Sequence, residues 1–159
     1  MTVEPCRDLP SSTIPSILVV EDEPSSARLI LRAFERSGLP NPVEVVPDAE
    51  SALGMLRSDG SNGRAEEFRM PGLILSDHRL PRCSGLELIG RIKSDPNTRD
   101  IPCILFSASA NAEDVIEAYR AGANCFLVKP QRFAELKELM LSVHRTFLAP
   151  ASTRGGLNG

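Results

Sequence analysis

The amino-acid sequence predicts a doubly wound α/β fold with a five-stranded parallel sheet and five helices. Short apolar runs rich in branched residues alternate with longer stretches whose apolar residues recur three and four positions apart. The runs are almost entirely apolar, which is typical of strands buried on both faces of a sheet. Because a helical stretch follows each run, we expect parallel strands joined by crossover helices on both faces.

Five short segments have the composition of strands and are bounded by proline, glycine or polar residues. These predicted strands are Ile17 to Val20, Val43 to Val46, Leu73 to Leu75, Ile104 to Phe106 and Phe126 to Val128. The helical patterns that follow them are formed by Ala27, Ile30, Leu31 and Phe34; Ala49, Ala52, Leu53 and Leu56; Leu86, Ile89 and Ile92; Val115, Ala118 and Tyr119; and Phe133, Leu136, Met140, Val143 and Phe147. Gly38 and Gly122 stand where glycine ends helices, and Asp48 stands where an N-cap belongs.

The chain has 159 residues, which is the length of one domain. We expect this domain to span residues 16–148, with flexible tails at residues 1–15 and 149–159. The segment from Arg57 to Gly72 is polar and contains glycine, so it is expected to form a surface loop.

Composition argues against several classes of function. The formal net charge is −3 and no basic run is present, so nucleic acid is not an expected partner. The chain begins without the pattern of a signal peptide, and no apolar run reaches membrane-spanning length, so we expect a cytoplasmic protein without membrane contact. The cysteines lack the spacing of a zinc site or a disulfide framework, and Cys103 and Cys125 are expected in the core.

Ionisable or hydroxyl residues follow four of the predicted strands. In chain order they are Glu21, Asp22 and Glu23; Asp77; Ser107; and Lys129, which precedes Pro130. Ligands of open parallel sheets bind beyond the carboxyl ends of the strands, so we expect these residues to meet at one edge. A carboxylate at the end of an apolar strand also costs free energy unless it has a partner there.

The acidic residues at this edge predict a magnesium site. Neighbouring carboxylates repel each other unless a cation lies between them, and oxygen ligands with room for water suit Mg²⁺. Asp22 and Asp77 would bind the ion directly, and Glu21 would reach it through a water molecule. The backbone carbonyl of Arg79 would complete the protein's ligands.

The same set of residues predicts phosphoryl chemistry at Asp77. With a metal and a lysine neutralising its surroundings, this carboxylate could attack a phosphoryl group and form an acyl phosphate. Lys129 would place a positive charge on one phosphoryl oxygen, and the Ser107 hydroxyl would donate a hydrogen bond to another. The pull on Ser107 and its loop would favour a second conformation.

From Ile17 to Phe147 the chain resembles a response-regulator receiver domain, the phosphoacceptor module of bacterial two-component signalling. The resemblance rests on four motifs in order: "ILVVEDEP", "LILSDHRLPRCSGLEL", "CILFSASA" and "GANCFLVKP". It implies that Asp77 accepts phosphate from a kinase histidine or a histidine phosphotransfer protein. It also implies that Phe126 is the aromatic residue that moves inward on activation and that the bond between Lys129 and Pro130 is cis.

The motifs and the long loop before the third strand are similar to those of the small regulators paired with bacterial phytochrome kinases. This likeness implies a single-domain regulator, a bacteriophytochrome kinase as partner, and self-association through helix four, strand five and helix five. The chain departs from the common pattern in Glu21 for aspartate, Ser107 for threonine, Phe126 without a tyrosine hydroxyl, and Gln131 for an apolar residue. We expect no role in the chemistry for His78 or His144.

Two further hypotheses remain open at this stage. A magnesium-dependent phosphatase or phosphotransferase of the haloacid-dehalogenase kind would use a second aspartate two residues after Asp77, where this chain has Arg79. A phosphorylation-independent adaptor would bind a partner through the surface around Phe126. Nucleotide binding is not expected, because neither GxxxxGK[ST] nor GxGxxG is present at the first helix.

Overall fold

A computed structural model describes residues 14–57 and 70–149, and it contains one five-stranded parallel sheet with the order β2-β1-β3-β4-β5. The strands are β1 Ile17–Val20, β2 Val43–Val46, β3 Leu73–Asp77, β4 Cys103–Ser107 and β5 Cys125–Val128. All five predicted strands are confirmed, and the last three are one or two residues longer than predicted. The predicted loop at residues 58–69 and most of both predicted tails lie outside the described residues.

Five α-helices connect and follow the strands, as predicted. They are α1 Pro24–Arg36, α2 Ala49–Arg57, α3 Gly85–Ser94, α4 Ala112–Ala121 and α5 Phe133–Val143. The last helix departs from the prediction of one continuous α-helix, because residues His144–Leu148 form a π-helical turn. The Ala149 N–H donates to the His144 carbonyl at 2.8 Å, which closes that wider turn.

Two apolar clusters cover the two faces of the sheet, because successive side chains of a strand point to opposite faces. Leu18 and Val20 of β1 pack with helices α2, α3 and α4, whereas Ile17 and Val19 pack with α1 and α5. The sheet is therefore buried on both sides, which confirms the doubly wound fold. Cys103 is fully buried and Cys125 is half-buried, so both pack as the sequence predicted.

Local sequence explains where the helices near the site begin and end. Ser84 and Glu87 form a reciprocal capping box at the start of α3, and the Asp48 carboxylate accepts the Ser51 N–H at 2.7 Å ahead of α2. Gly122 ends α4 with a φ of 105°, a left-handed conformation that glycine adopts without steric cost. The caps of α2 and α3 thus fix the starts of these helices close to the carboxyl ends of the strands that precede them.

One expectation about the backbone is wrong. No peptide bond within residues 14–57 and 70–149 is cis, so the bond between Lys129 and Pro130 is trans. The trans form is the lower in energy for a bond to proline by about 0.5–1 kcal/mol, and in this form the lysine side chain already reaches its carboxylate partners.

Of the helices formed by the described residues, none is sufficiently long and apolar to cross a membrane.

Candidate phosphoacceptor and metal site

The register of the sheet brings the ends of four strands to the same level. Val20 lies beside Ser76, Asp77 beside Phe106, and Ser107 beside Val128. The residues that follow β1, β3, β4 and β5 therefore meet at one edge, as the sequence predicted.

Three carboxylates gather at this edge. Glu21, Asp22 and Asp77 each offer an oxygen, and these oxygens lie within 4.8 Å of one another. Glu21 is buried, Asp77 is largely buried and Asp22 is exposed. The group thus opens towards solvent on the Asp22 side, where an ion could enter.

The three neighbouring acids of the "EDE" motif have different environments. Glu21 turns inward, and its Oε2 accepts the Glu23 N–H at 3.2 Å. Glu23 turns away from the group and caps α1, accepting the N–H groups of Ser25 and Ser26 at 3.1 and 3.2 Å. Hydrogen bonds from the Ser25 hydroxyl and the Ser26 N–H hold the pKa of Glu23 below its usual value. Glu23 is therefore a helix cap rather than part of the acidic group.

Lys129 joins the two inner carboxylates. Its Nζ lies 2.9 Å from Glu21 Oε1 and 2.9 Å from Asp77 Oδ1, and 5.9 Å from the centre of the Phe106 ring. One ammonium group thus offsets the charge of two largely buried acids and also interacts with an aromatic face.

Burial and charge pull the pKa values at the site in opposite directions. Burial raises the pKa of Glu21 and the Asp77 charge adds to this, although Lys129 partly offsets both. Burial alone would lower the pKa of Lys129, but hydrogen bonds to Asp77 and Glu21 outweigh it and raise the pKa overall. Lys129 therefore stays charged at neutral pH.

The backbone beneath Asp77 is fixed by close packing. The His78 N–H donates to Asp77 Oδ1 at 3.0 Å, and the Gly85 N–H donates to the His78 carbonyl at 2.9 Å. A Cβ atom on Gly85 would lie 2.2 Å from the Asp77 carbonyl oxygen, so only glycine fits there. Among the described residues, all recorded polar contacts of the Asp77 carboxylate go to Oδ1, which leaves Oδ2 available.

Ser107 ends β4 and is buried. Its hydroxyl donates to the Ser109 carbonyl at 2.7 Å, so the side chain is turned towards the loop that follows β4. The Lys129 N–H donates to the Ser107 carbonyl at 2.7 Å, which ties the two strand ends together. The structure thus places Ser107 at the predicted edge, with its hydroxyl proton engaged by its own loop.

Phe126 and Arg79 have different surroundings in the structure. Phe126 is half-buried against the cluster beneath α2, α3 and α4, and its N–H donates to the Tyr119 hydroxyl at 3.3 Å. Arg79 is exposed in the loop between β3 and α3. The contact with Tyr119 was not predicted, because it joins a helix to a strand edge that no local pattern relates.

Two other contacts of the site loops were missed by sequence reasoning. His78 Nδ1 lies 3.4 Å from Ser107 Oγ. Arg82 has a φ of 67° and pairs with Asp48 at 3.4 Å and Glu50 at 2.9 Å, which links the loop after β3 to the start of α2.

Comparisons with known proteins agree with this geometry. Residues 17–141 match the family profile of the response regulator receiver domain. The chain is 36% identical over 132 residues to the probable methanogenesis regulatory protein FilR2 of Methanothrix harundinacea, covering 83% of each chain. It is 30% identical over 132 residues to the response regulator Rcp1 of Synechocystis, covering 83% of this chain and 88% of Rcp1.

Two solved structures are similar over nearly the whole described fold. The phosphorylated cyanobacterial phytochrome response regulator RcpA aligns with a TM-score of 0.75 at 32% identity, over 85% of this chain and 94% of its own. The Mn²⁺-bound form of Rcp1 aligns with a TM-score of 0.72 at 29% identity, over 84% of this chain and 94% of its own. Single-domain regulators of phytochrome signalling are thus among the homologues of this chain.

Proposed function

Because the chain belongs to the family of response regulator receiver domains, the phosphoacceptor modules of two-component signalling, we propose that it accepts a phosphoryl group on Asp77. The observation that supports this most directly is the pair of 2.9 Å contacts between Lys129 and the Asp77 and Glu21 carboxylates. They hold a positive charge beside Asp77, whose second carboxylate oxygen is available for attack.

The transfer takes place between a phosphohistidine of a partner and the Asp77 carboxylate. A carboxylate oxygen attacks phosphorus as the bond from phosphorus to the histidine nitrogen breaks, and the electron pair leaves on that nitrogen, which takes up a proton. Lys129 compensates the charge that develops on one phosphoryl oxygen. The protein is then a phosphoacceptor that catalyses at most its own phosphorylation and dephosphorylation.

The resident ion in this proposal is Mg²⁺. Asp22 and Asp77 would bind it directly together with the backbone carbonyl of Arg79, and the ion would neutralise charge on the transferred group. Both Glu21 oxygens are already hydrogen-bonded, one to Lys129 and one to the Glu23 N–H, so this residue suits a role through a water molecule. Rcp1 was crystallised with Mn²⁺, which supports a divalent ion here.

Ser107 and Phe126 form the proposed switch. The hydroxyl of Ser107 must leave the Ser109 carbonyl before it can donate to a phosphoryl oxygen, so phosphorylation would release the loop after β4. Phe126 is only partly buried, which leaves its ring a route inward as that loop moves.

A sensor histidine kinase or a histidine phosphotransfer protein is the proposed donor. The similarity to RcpA and Rcp1 favours a bacteriophytochrome as the kinase. Because such a kinase draws its phosphate from ATP, we propose that the kinase and this protein meet in the cytoplasm.

We further propose that two copies associate through α4, β5 and α5. Ile116, Tyr119 and Val128 lie on adjacent elements of this face and are 51%, 50% and 44% exposed. Burying such side chains between copies would be favourable. Ile116→Glu is expected to shift the protein to the monomer in sedimentation velocity, with Leu29→Glu on α1 as the control for an exposed leucine elsewhere.

Phosphotransfer from a kinase tests the proposed function. A phosphorylated bacteriophytochrome kinase is mixed with wild type or Asp77→Asn, with Mg²⁺ or with EDTA, beside a receiver of known competence. We expect the phosphoryl label on wild type in Mg²⁺, and no label on wild type in EDTA or on Asp77→Asn. If the control receiver is labelled and wild type is not, the assignment of Asp77 as phosphoacceptor is wrong.

A further inference from the structure

The imidazole of His78 contacts the hydroxyl of Ser107 across two strands. Nδ1 and Oγ are 3.4 Å apart, the serine is buried and the histidine half-buried. The proposed chemistry uses Asp77 and Ser107 but gives no part to His78, which contacts both of them.

The hydrogen bonds of Ser107 fix the direction of this contact. A hydroxyl has one proton, and that of Ser107 is donated to the Ser109 carbonyl at 2.7 Å. Oγ can therefore only accept from His78, so Nδ1 must hold the proton. The Ser109 N–H approaches the same oxygen at 3.4 Å, and both donors favour the orientation in which the hydroxyl faces the loop.

Hydrogen bonds at both ends hold the backbone of His78 in place. Its N–H is shared between the Phe106 carbonyl and Asp77 Oδ1, both at 3.0 Å, and its carbonyl accepts the Gly85 N–H at 2.9 Å. The ring therefore donates to Ser107 from an anchored backbone position. If Ser107 turns towards Asp77, it must leave this donor behind.

We propose that His78 is a positioning residue that holds the Ser107 hydroxyl in its resting orientation and so opposes the switch. This inference rests on the role proposed above for Ser107. The His78 contact stabilises only the resting state, so its loss should make the phosphorylated conformation easier to reach.

The tautomer of His78 tests directly whether its Nδ1 donates a hydrogen bond to Ser107 Oγ. The chain has only two histidines, His78 and His144, so His144→Gln assigns the imidazole signals without ambiguity. In two-bond nitrogen–proton NMR spectra at pH 8.5, where an ordinary imidazole is neutral, we expect His78 protonated on Nδ1. A proton on Nε2 with a bare Nδ1 would overturn the inference.

The energetic effect is measured with beryllofluoride and Mg²⁺, which mimic the phosphorylated state. His78→Leu is expected to bind the mimic about two- to fivefold more tightly than wild type, because one long neutral hydrogen bond no longer opposes the switch. His78→Asn retains a nitrogen donor near the Nδ1 position and should return towards wild type. His144→Asn should be unchanged.

Equal affinity of His78→Leu and wild type, with an unchanged melting temperature, would contradict the positioning role, as would His78→Asn behaving like His78→Leu. Failure of wild type to bind beryllofluoride would instead contradict the proposed function, and the inferred role of His78 would fall with it. The tautomer of His78 would still report the bond itself.

Discussion

Two cations of this protein each pair with two carboxylates, and their settings differ sharply. Lys129 bridges Glu21 and Asp77 with side-chain exposures of 21%, 2% and 12%. Arg82 bridges Asp48 and Glu50 with exposures of 62%, 19% and 67%. Both Lys129 pairs are 2.9 Å apart, and the Arg82 pairs are 3.4 and 2.9 Å apart. Water screens the exposed Arg82 pairs far more than the largely buried Lys129 pairs, so we expect function and stability to depend much more on Lys129 than on Arg82.

The largest expected effect is that of Lys129→Met. Without the ammonium group, Glu21 and Asp77 repel each other, and no other cation among the described residues contacts Asp77 to compensate the transferred charge. We expect phosphorylation by a small-molecule phosphodonor to slow by about 100-fold or more. In EDTA the free energy of unfolding should fall by about 1–3 kcal/mol, measured by urea denaturation. A variant that is phosphorylated at the wild-type rate would show that the buried bridge is incidental.

The packing that holds the buried bridge in place can be tested in α3. Gly85→Ala forces a methyl group against the Asp77 carbonyl and should destabilise the protein by about 1–3 kcal/mol while also slowing phosphorylation. Gly90→Ala in the same helix is the matched control, because no atom beyond the neighbouring helix backbone lies within 4 Å of the added carbon. It should be neutral or stabilising by up to about 1 kcal/mol. Similar urea midpoints for the two variants would argue against close packing beneath Asp77.

A smaller effect is expected in the pH dependence of stability. The pKa of Glu21 is raised by burial, so the folded state binds its proton more tightly than the unfolded chain does. Glu21 therefore contributes a loss of stability as pH rises from below 4.5 through its raised pKa. In EDTA, as pH rises from 4.5 through this raised pKa, wild type should therefore lose stability relative to Glu21→Gln in urea denaturation. Parallel pH profiles would indicate that burial does not perturb this carboxyl group.

Arg82→Ala should have the smallest effect. The pairs with Asp48 and Glu50 are exposed and screened by water, so their loss should leave the urea midpoint nearly unchanged, and neither alanine nor arginine avoids the strain of the left-handed backbone at this position. Phosphorylation should proceed at the wild-type rate. A loss comparable to that of Lys129→Met would mean that the Arg82 tether controls the loop after β3, and the comparison of the two cations would fail.

The parts of the molecule that the sequence predicted are those set by short repeating patterns. The strands and the convergence of Glu21, Asp22, Asp77 and Lys129 follow from burial on both faces and from parallel strand ends. The partner expected for the carboxylate at the end of β3 is Lys129, which is 52 residues further along the chain.

The parts that escaped prediction depend on tertiary contacts between loops. No local pattern relates His78 to Ser107, Tyr119 to the N–H of Phe126, or Arg82 to Glu50. The cis bond before Pro130 was expected from resemblance alone, and the trans bond is compatible with the same lysine contacts. The π-helical turn after α5 has no signal in the apolar spacing, which continues through Phe147 without a change of period.

The most direct test of the proposed function is intact mass and peptide mapping after incubation with a small-molecule phosphodonor, with Mg²⁺ or with EDTA. Wild type, Asp77→Asn and Arg82→Ala are compared in parallel. We expect one phosphoryl adduct on the peptide containing Asp77, formed with Mg²⁺ in wild type and Arg82→Ala and absent from Asp77→Asn. An adduct on another residue, or one that persists in Asp77→Asn, would contradict the assignment of Asp77 as the phosphoacceptor.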